Sequence, residues 1–234
     1  MSDIIAHGAS KFNILLPPET EAAFGVYYSL LNEFGENINL TSISGVENVA
    51  ALHFLDSLAL LTVVPFENLK VIDIGSGAGF PGLPLKLAEP SIALTLLDAT
   101  KKRVNFLQTI SNKLGIKAEC MHIRAEDAAH LDKMREQFDI CVSRAVAKLN
   151  ILCELCLPFV KPGGLFLAMK SVNSDDELEL AKNAVSTLGA RLQESVDYQI
   201  PDTDVVHRVI VFQKLLKTPD CYPRKFAKIR KSPL

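Results

Sequence analysis

Two carboxylates and a run of glycines bear on chemistry before anything else in the chain. Asp73 stands at the end of a short apolar run, Val71, Ile72 and Ile74. It is followed by Gly75, Gly77, Gly79 and Gly82 in KVIDIGSGAGFPGLPL, residues 70–85. A glycine turn leaving a strand lets bare backbone approach a ligand, because glycine accepts positive φ and has no Cβ. Gly77, Gly79 and Gly82 satisfy G-x-G-x-x-G, a weak signal by spacing alone. The sign of the charge narrows the ligand. Asp73 would repel a pyrophosphate and suits an amine-bearing or cationic group. Asp98 ends the next apolar run, Ala93–Leu97, nineteen residues beyond Gly79, where a carboxylate suits a ribose diol. S-adenosylmethionine has an amine, a sulfonium and a ribose but no phosphate, and it meets both conditions.

The cations are placed with similar economy. Arg144 leaves the end of the strand-like run Phe138–Val142, and Lys170 ends the run Gly164–Lys170. Ligands of open α/β sheets bind at the carboxyl ends of strands, so both are expected at the active mouth. Arg144→Ala is expected to cost activity far more than stability. Lys101, Lys102 and Arg103 open a helix, where the macrodipole disfavours cations, and Lys101 is therefore a candidate phosphate contact. Arg124-Ala125-Glu126-Asp127 follows the third strand, which places Ala125 and Glu126 beside an adenine and Arg124 near phosphates. Asn39 and Thr41 could bond backbone groups or reach a substrate, with the local structural role favoured. His53, Asp56 and Ser57 share a helix face that reads as solvated, with a polar cap over the cofactor mouth as the alternative. Cys153 and Cys156 sit in an apolar helix without a second pair, so they read as small core residues. The five histidines lack ligand spacing, and no metal is expected.

These residues need elements to hold them. Helical spacing runs through Glu19–Phe34, with Gly35 as a stop, and through Val46–Leu61. From Lys70 the rhythm is strand, helix, strand, helix. Strands are expected at residues 70–74, 93–97, 117–123, 138–142 and 164–170. Helices are expected over Thr100–Leu114, Asn150–Val160 and Ser174–Leu188, capped by Thr100 and Ser174, with KPGG (161–164) as a turn. Val196–Ile200 and Arg208–Gln213 close the series without a helix between them. The expected fold is α/β: a Rossmann-like, mostly parallel seven-stranded sheet with an antiparallel edge strand, as in class I methyltransferases. Residues 1–64 would form an N-terminal helical extension, 65–216 the main domain and 217–234 a basic tail. Residues 1–16 carry no readable signal.

Composition excludes several classes. The chain has 234 residues, 48% hydrophobic and 22% charged, with no apolar run near the ~20 residues of a membrane helix. Five cysteines, an odd number, and the lack of a signal-like N-terminus suit a cytoplasmic protein. Net charge is −2, yet residues 214–234 hold seven Lys/Arg against Asp220 alone. A basic tail on an acidic body suggests a local anionic partner such as RNA, weighed evenly against a solvated, partly disordered terminus.

DIGSGAGFPGLPL, LLDATKKRVNFL, RAED, SRAVAKL and YPRK, with NLTSI and HFLDSL upstream, resemble one family from about Asn37 to Arg224. It is the bacterial 16S ribosomal RNA guanine-N7 methyltransferase family, also called glucose-inhibited division protein B or small-subunit methyltransferase G. The last ten residues, KFAKIRKSPL, depart from the family's tail. The resemblance implies S-adenosylmethionine as cofactor, with Gly75, Phe80, Ala125, Glu126 and Arg144 at cofactor-site positions. It implies one guanine in the decoding-region loop of 16S RNA as acceptor, in the small subunit or its assembly intermediate, and no membrane. Arg144 and Lys170 would position RNA or the methionine carboxylate, while Lys101, Arg124, Arg224 and Lys225 would contact phosphates.

The residues agree with that chemistry on separate grounds. Guanine N7 has a lone pair and no proton, so in-line attack needs no general base, and placement alone can supply about 7–11 kcal/mol. Ser143-Arg144-Ala145 offers neither the Asn/Asp-Pro-Pro-aromatic segment of amine methylation nor the cysteine of C5 methylation. The competing readings are a methyltransferase for another RNA or a small molecule, and a non-catalytic cofactor-binding RNA chaperone. A nicotinamide enzyme is disfavoured by Asp73 and by the missing acid–base pair.

Overall fold

Seven strands pair into one sheet with helices packed on both faces. The computed structural model describes residues 1–38, 40, 41 and 43–234, with 35–38 described as helix backbone; Asn39 lies outside the described residues. The strands are β1 (Lys70–Ile74), β2 (Ala93–Asp98), β3 (Ala118–His122), β4 (Phe138–Arg144), β5 (Val160–Ser171), β6 (Ala190–Gln199) and β7 (Val206–Lys214). Their order is β3-β2-β1-β4-β5-β7-β6. The first five pair in parallel, and β7 runs antiparallel to both β5 and β6. Strand order reverses between β1 and β4, which makes their carboxyl ends the switch point where such sheets bind ligands.

Strand residues alternate between two cores, as a period of two requires. Val71, Leu94, Leu96, Ile140, Val142 and Leu167 face one. Ile72, Ile74, Leu97, Cys141, Phe166 and Ala168 face the other. On the first side lie α1 (Ser2–Lys11), α2 (Pro18–Ile38), a helical run α3 over residues 46–62, α4 (Gly82–Ala88) and α5 (Lys101–Lys113). On the second lie α6 (Ala125–Ala128), α7 (Leu149–Cys156), α8 (Asp175–Thr187) and α9 (Phe226–Lys231). Ile5, Phe24 and Tyr27 join the sheet's first core, so residues 1–62 share it. Among the described residues no helix is long and apolar enough to cross a membrane.

Several expectations need correction. The unread N-terminus forms α1, with Ile5 and Ala9 buried. Gly35 does not stop α2, which continues to Ile38. Ala50–Leu55 within α3 is π-helical, a local widening that periodicity does not encode. KPGG is not a turn. It lies inside β5 as a bulge, where Phe138 pairs with Val160 but Ile140 pairs with Leu165. Thr100 and Ser174 occupy N-cap positions without a side-chain cap bond, and Ser174 Oγ is buried without a partner.

The tail is anchored rather than loose. Lys214 belongs to β7 and is fully buried, donating to Leu157 O at 2.9 Å and to Thr218 Oγ1. Arg224 closes on the fully buried Glu154 through its backbone N–H, Nε and Nη2, at 2.8, 2.8 and 2.6 Å. Ile229 of α9 enters the second core. Glu154→Ala is expected to cost about 3 kcal/mol, because it strands Arg224. Limited proteolysis should then cut residues 217–234 faster than in the parent chain.

Candidate active site

The glycine loop is stitched to β2 before it meets any ligand. Gly75 and Ser76 both donate backbone N–H groups to Leu97 O, at 2.8 and 3.1 Å. Ser76 Oγ accepts from Leu97 N at 3.2 Å and donates to Asp73 O at 2.9 Å. The glycines then divide by neighbour. A Cβ at Gly79 would stand 2.4 Å from Tyr27 Oη, and one at Gly82 would stand 2.7 Å from Leu96 Cδ2 and 2.9 Å from Asp73 Oδ2. At those two positions the absent Cβ makes room for α2 and for β1–β2. Gly75 is covered by Val146, from the loop after β4. Gly77, at φ +58, meets nothing nearer than Gly75 O at 3.8 Å and so presents the open face.

The two carboxylates have different tasks. Asp73 is fully buried under the loop, where Oδ2 accepts from Gly82 N at 2.9 Å and Oδ1 has no partner among the described residues. It shapes the loop from below, which corrects the expectation of direct ligand contact. Burial pushes its carboxyl up to about 7. Between about pH 4 and 7 the folded chain keeps a proton that the unfolded chain releases, so this group's contribution to stability falls as pH rises. Asp73→Asn removes the titration. The stability of the variant relative to the parent should improve from pH 5 to pH 8, by about 3 kcal/mol, in urea unfolding at both pH values.

Asp98, at the carboxyl end of β2 beside the loop, is itself largely buried, with Arg103 Nη1 3.7 Å from its Oδ2. Its Oδ2 accepts from Gly77 N at 3.0 Å and its Oδ1 from Thr100 N at 2.7 Å. Each carboxylate oxygen can accept again. Ala125 and Glu126 open α6 beyond β3, both largely buried on the same edge of the sheet. Lys101 and Arg124 are exposed on the flanking α5 and α6 ends.

Across the switch point, a cleft of about 1040 Å³ opens at the carboxyl ends of β4 and β5. Arg144 lies in its floor. One guanidinium nitrogen donates to Asp56 Oδ2 and to Leu52 O, both at 2.9 Å, and the other lies 2.8 Å from His53 Nδ1. Asp56 Oδ1 accepts from Tyr198 Oη at 2.6 Å and from His207 Nδ1 at 2.8 Å. The expected solvated face of His53, Asp56 and Ser57 is therefore buried, with Asp56 only 1% exposed. Burial alone would raise the Asp56 carboxyl, but bonds from His207, Arg144 and Tyr198 outweigh it and hold it below its usual value. The same bond to Asp56 raises His207. Burial, reinforced by Arg144, pushes His53 down to about 3 and keeps it neutral.

Phe80 stacks on His53 (centroids 4.5 Å apart) and on Tyr27 (5.4 Å), with the Arg144 guanidinium 5.1 Å from its ring. Its ring is spent in the core, which leaves the backbone of Phe80 as the part that could meet a cofactor. Lys170 lines the cleft and pairs with Glu177 at 2.6 Å while donating to Ala147 O at 3.0 Å. Lys225 is exposed and reaches Asp127 at 2.9 Å, whereas Arg224 is committed to Glu154. Tyr198 and His207 were not singled out from the sequence. They lie 142 and 151 residues from Asp56, and no local signal joins them. Among the described residues no group of three or more His, Cys, Asp or Glu is placed to hold a metal ion.

Known proteins resemble this chain in sequence and in fold. Residues 20–206 match the family described as rRNA small subunit methyltransferase G. A relative in Acetivibrio thermocellus, named ribosomal RNA small subunit methyltransferase G, is 40% identical over 99% of this chain and 96% of its own length. One of the same name in Clostridium perfringens is 43% identical over 90% of this chain and 89% of its own. Among solved structures, the YcgJ protein of Bacillus subtilis superimposes with a TM-score of 0.55 at 15% identity, covering 70% of this chain and all of that one. The fold is thus the class I methyltransferase fold, with a mostly parallel seven-stranded sheet and an antiparallel edge. With the family's pattern matched over most of its length, the chain belongs to the small-subunit ribosomal RNA methyltransferase G family.

Proposed function

We propose that this chain transfers the methyl group of S-adenosylmethionine to N7 of one guanine in the decoding-region loop of 16S ribosomal RNA. Its substrate is the small subunit or an assembly intermediate, and it works in the cytoplasm. The observation that carries this reading is the adjacency of two surfaces across the β1–β4 switch point. One is the open glycine at Gly77 bonded to Asp98; the other is the cleft lined by Arg144. Relatives at 40–43% identity are named for methylating small-subunit ribosomal RNA.

The residues fit the cofactor. The spare lone pairs of Asp98 suit ribose hydroxyls, the backbone at Gly75 and Gly77 suits the amino-acid end, and Ala125 and Glu126 flank an adenine. When bound there, S-adenosylmethionine supplies an electrophilic methyl group on a sulfonium. The cleft fits a ring nitrogen as acceptor. No cysteine lines it, and His53 has both ring nitrogens engaged, by Arg144 and by Thr41. Arg144 and Lys170 position the acceptor by charge while their own carboxylate partners, Asp56 and Glu177, hold them in place. Exposed Lys101, Arg124 and Lys225 meet RNA phosphates; Arg224 anchors the segment that presents Lys225.

The test is incubation with methyl-labelled S-adenosylmethionine and small subunits lacking the modification, followed by borohydride–aniline strand cleavage. A single cleavage in the decoding-region loop is expected. Label at another atom or in no RNA would overturn the reading.

A further inference from the structure

The direction of each hydrogen bond around His53 can be worked out, and it ends on one unspent proton. Arg144 can only donate, so His53 Nδ1, 2.8 Å away, must accept. His53 is therefore neutral with its proton on Nε2, in keeping with burial and the adjacent guanidinium pushing it down to about 3. Nε2–H then donates to Thr41 Oγ1 at 2.6 Å. The backbone N–H of Ile43 donates to the same oxygen at 3.0 Å. A hydroxyl has two acceptor lone pairs and one donor proton. Both lone pairs of Thr41 are filled, so its O–H must point elsewhere, and it has no acceptor among the described residues.

Thr41 lines the cleft beside Arg144 and Lys170. Leu40, Ile43, Leu52, Met169 and Val205 supply apolar surface in the same cleft, which suits the faces of a planar base. Arg144 and Lys170 in the same cleft are paired with Asp56 and Glu177, so the neutral hydroxyl of Thr41 is the donor that suits the neutral carbonyl of a base. On guanine, the acceptor O6 sits next to N7; on adenine, the same place holds the donor N6–H₂. We propose that Thr41 determines acceptor specificity: its hydroxyl donates to O6 of the target guanine and thereby selects guanine over adenine. This rests on the guanine-N7 reading above. The Arg144–His53–Thr41 chain fixes the donor's direction before the base arrives, so an adenine meets donor against donor.

The test is a cycle of protein and base changes. Small subunits are reconstituted with 16S RNA, ligated to carry guanine, adenine or 2-aminopurine at the target. 2-Aminopurine keeps N7 and lacks O6. On guanine, Thr41→Val should lower kcat/KM about tenfold to a hundredfold, and Thr41→Ser should stay within about threefold of the parent. The parent enzyme should lose a similar factor on 2-aminopurine, whereas Thr41→Val should lose nothing further there. The preference of Thr41→Val for guanine over adenine should fall correspondingly. Cofactor affinity and melting temperature report whether the variant is intact. Should Thr41→Val fail to fold, equal rates of the parent on guanine and 2-aminopurine would overturn the contact. Additive losses would overturn it too, since a residue acting only by supporting His53 and Arg144 is blind to O6. With 7-methylguanine still formed, those results defeat the contact alone; absence of 7-methylguanine from the parent reaction defeats the functional reading and the contact together.

Discussion

Asp56→Ala should lower stability by about 3–5 kcal/mol, the usual cost of removing one partner of a buried ion pair. For a chain of this length that corresponds to a melting temperature lower by roughly 10 °C. The reason is the number of donors that meet on one carboxylate. Arg144, Tyr198 and His207 all donate to Asp56, which is 1% exposed. Removing it leaves a phenol and an imidazole without that acceptor, and a largely buried guanidinium that keeps Leu52 O and His53 but loses its counter-charge. Arg144→Ala removes the opposite partner and leaves the carboxylate buried with the two remaining donors. The expectation that Arg144→Ala spares stability is thereby revised: it should cost both stability and activity. The double variant should be less damaged than the sum of the two single variants, by a coupling of about 1–3 kcal/mol in urea unfolding. Strict additivity would mean that the two groups do not work as a pair.

Gly77→Leu should reduce affinity for S-adenosylmethionine by more than a hundredfold in calorimetry while leaving a folded chain. Two effects combine. A leucine at φ +58 is strained by about 1–2 kcal/mol, and its side chain enters the open space that the loop keeps for a ligand. The nearest protein atom is 3.8 Å from the would-be Cβ, so the fold itself has room. Gly79→Leu makes the contrast. Its Cβ would run into Tyr27 Oη at 2.4 Å and Leu83 Cδ1 at 2.5 Å, so it should damage stability first. Unchanged cofactor affinity in Gly77→Leu would remove the loop from the binding surface.

Much of the fold and part of the site could be read from residues in order. Strand–helix alternation and the short apolar runs marked the parallel sheet, because apolar periodicity is a local property. Once the sheet is parallel, the carboxyl ends of its strands lie on one edge. That geometry is why Gly77, Asp98, Glu126 and Arg144, scattered over 68 positions, could be gathered without coordinates.

Other features depended on packing. The helical pattern of residues 46–61 showed that His53 and Asp56 share a face, but not that α3 buries it against β4 and β7. Only there do Arg144, Tyr198 and His207 reach Asp56. Lys214 read as part of a basic tail, yet it is fully buried because Leu157 O, Thr218 and Glu136 converge on its ammonium. Asp73 read as a ligand contact, and the close packing at Gly82 turned it into a support beneath the loop. The division has a physical cause. Strand and helix preferences are set within a few residues, so sequence alone determined the elements, their alternation and the edge where a ligand binds. The partner of a polar side chain is set by whatever long-range packing brings within about 3 Å, so only the tertiary structure decided which charges are spent and which donors find no acceptor among the described residues.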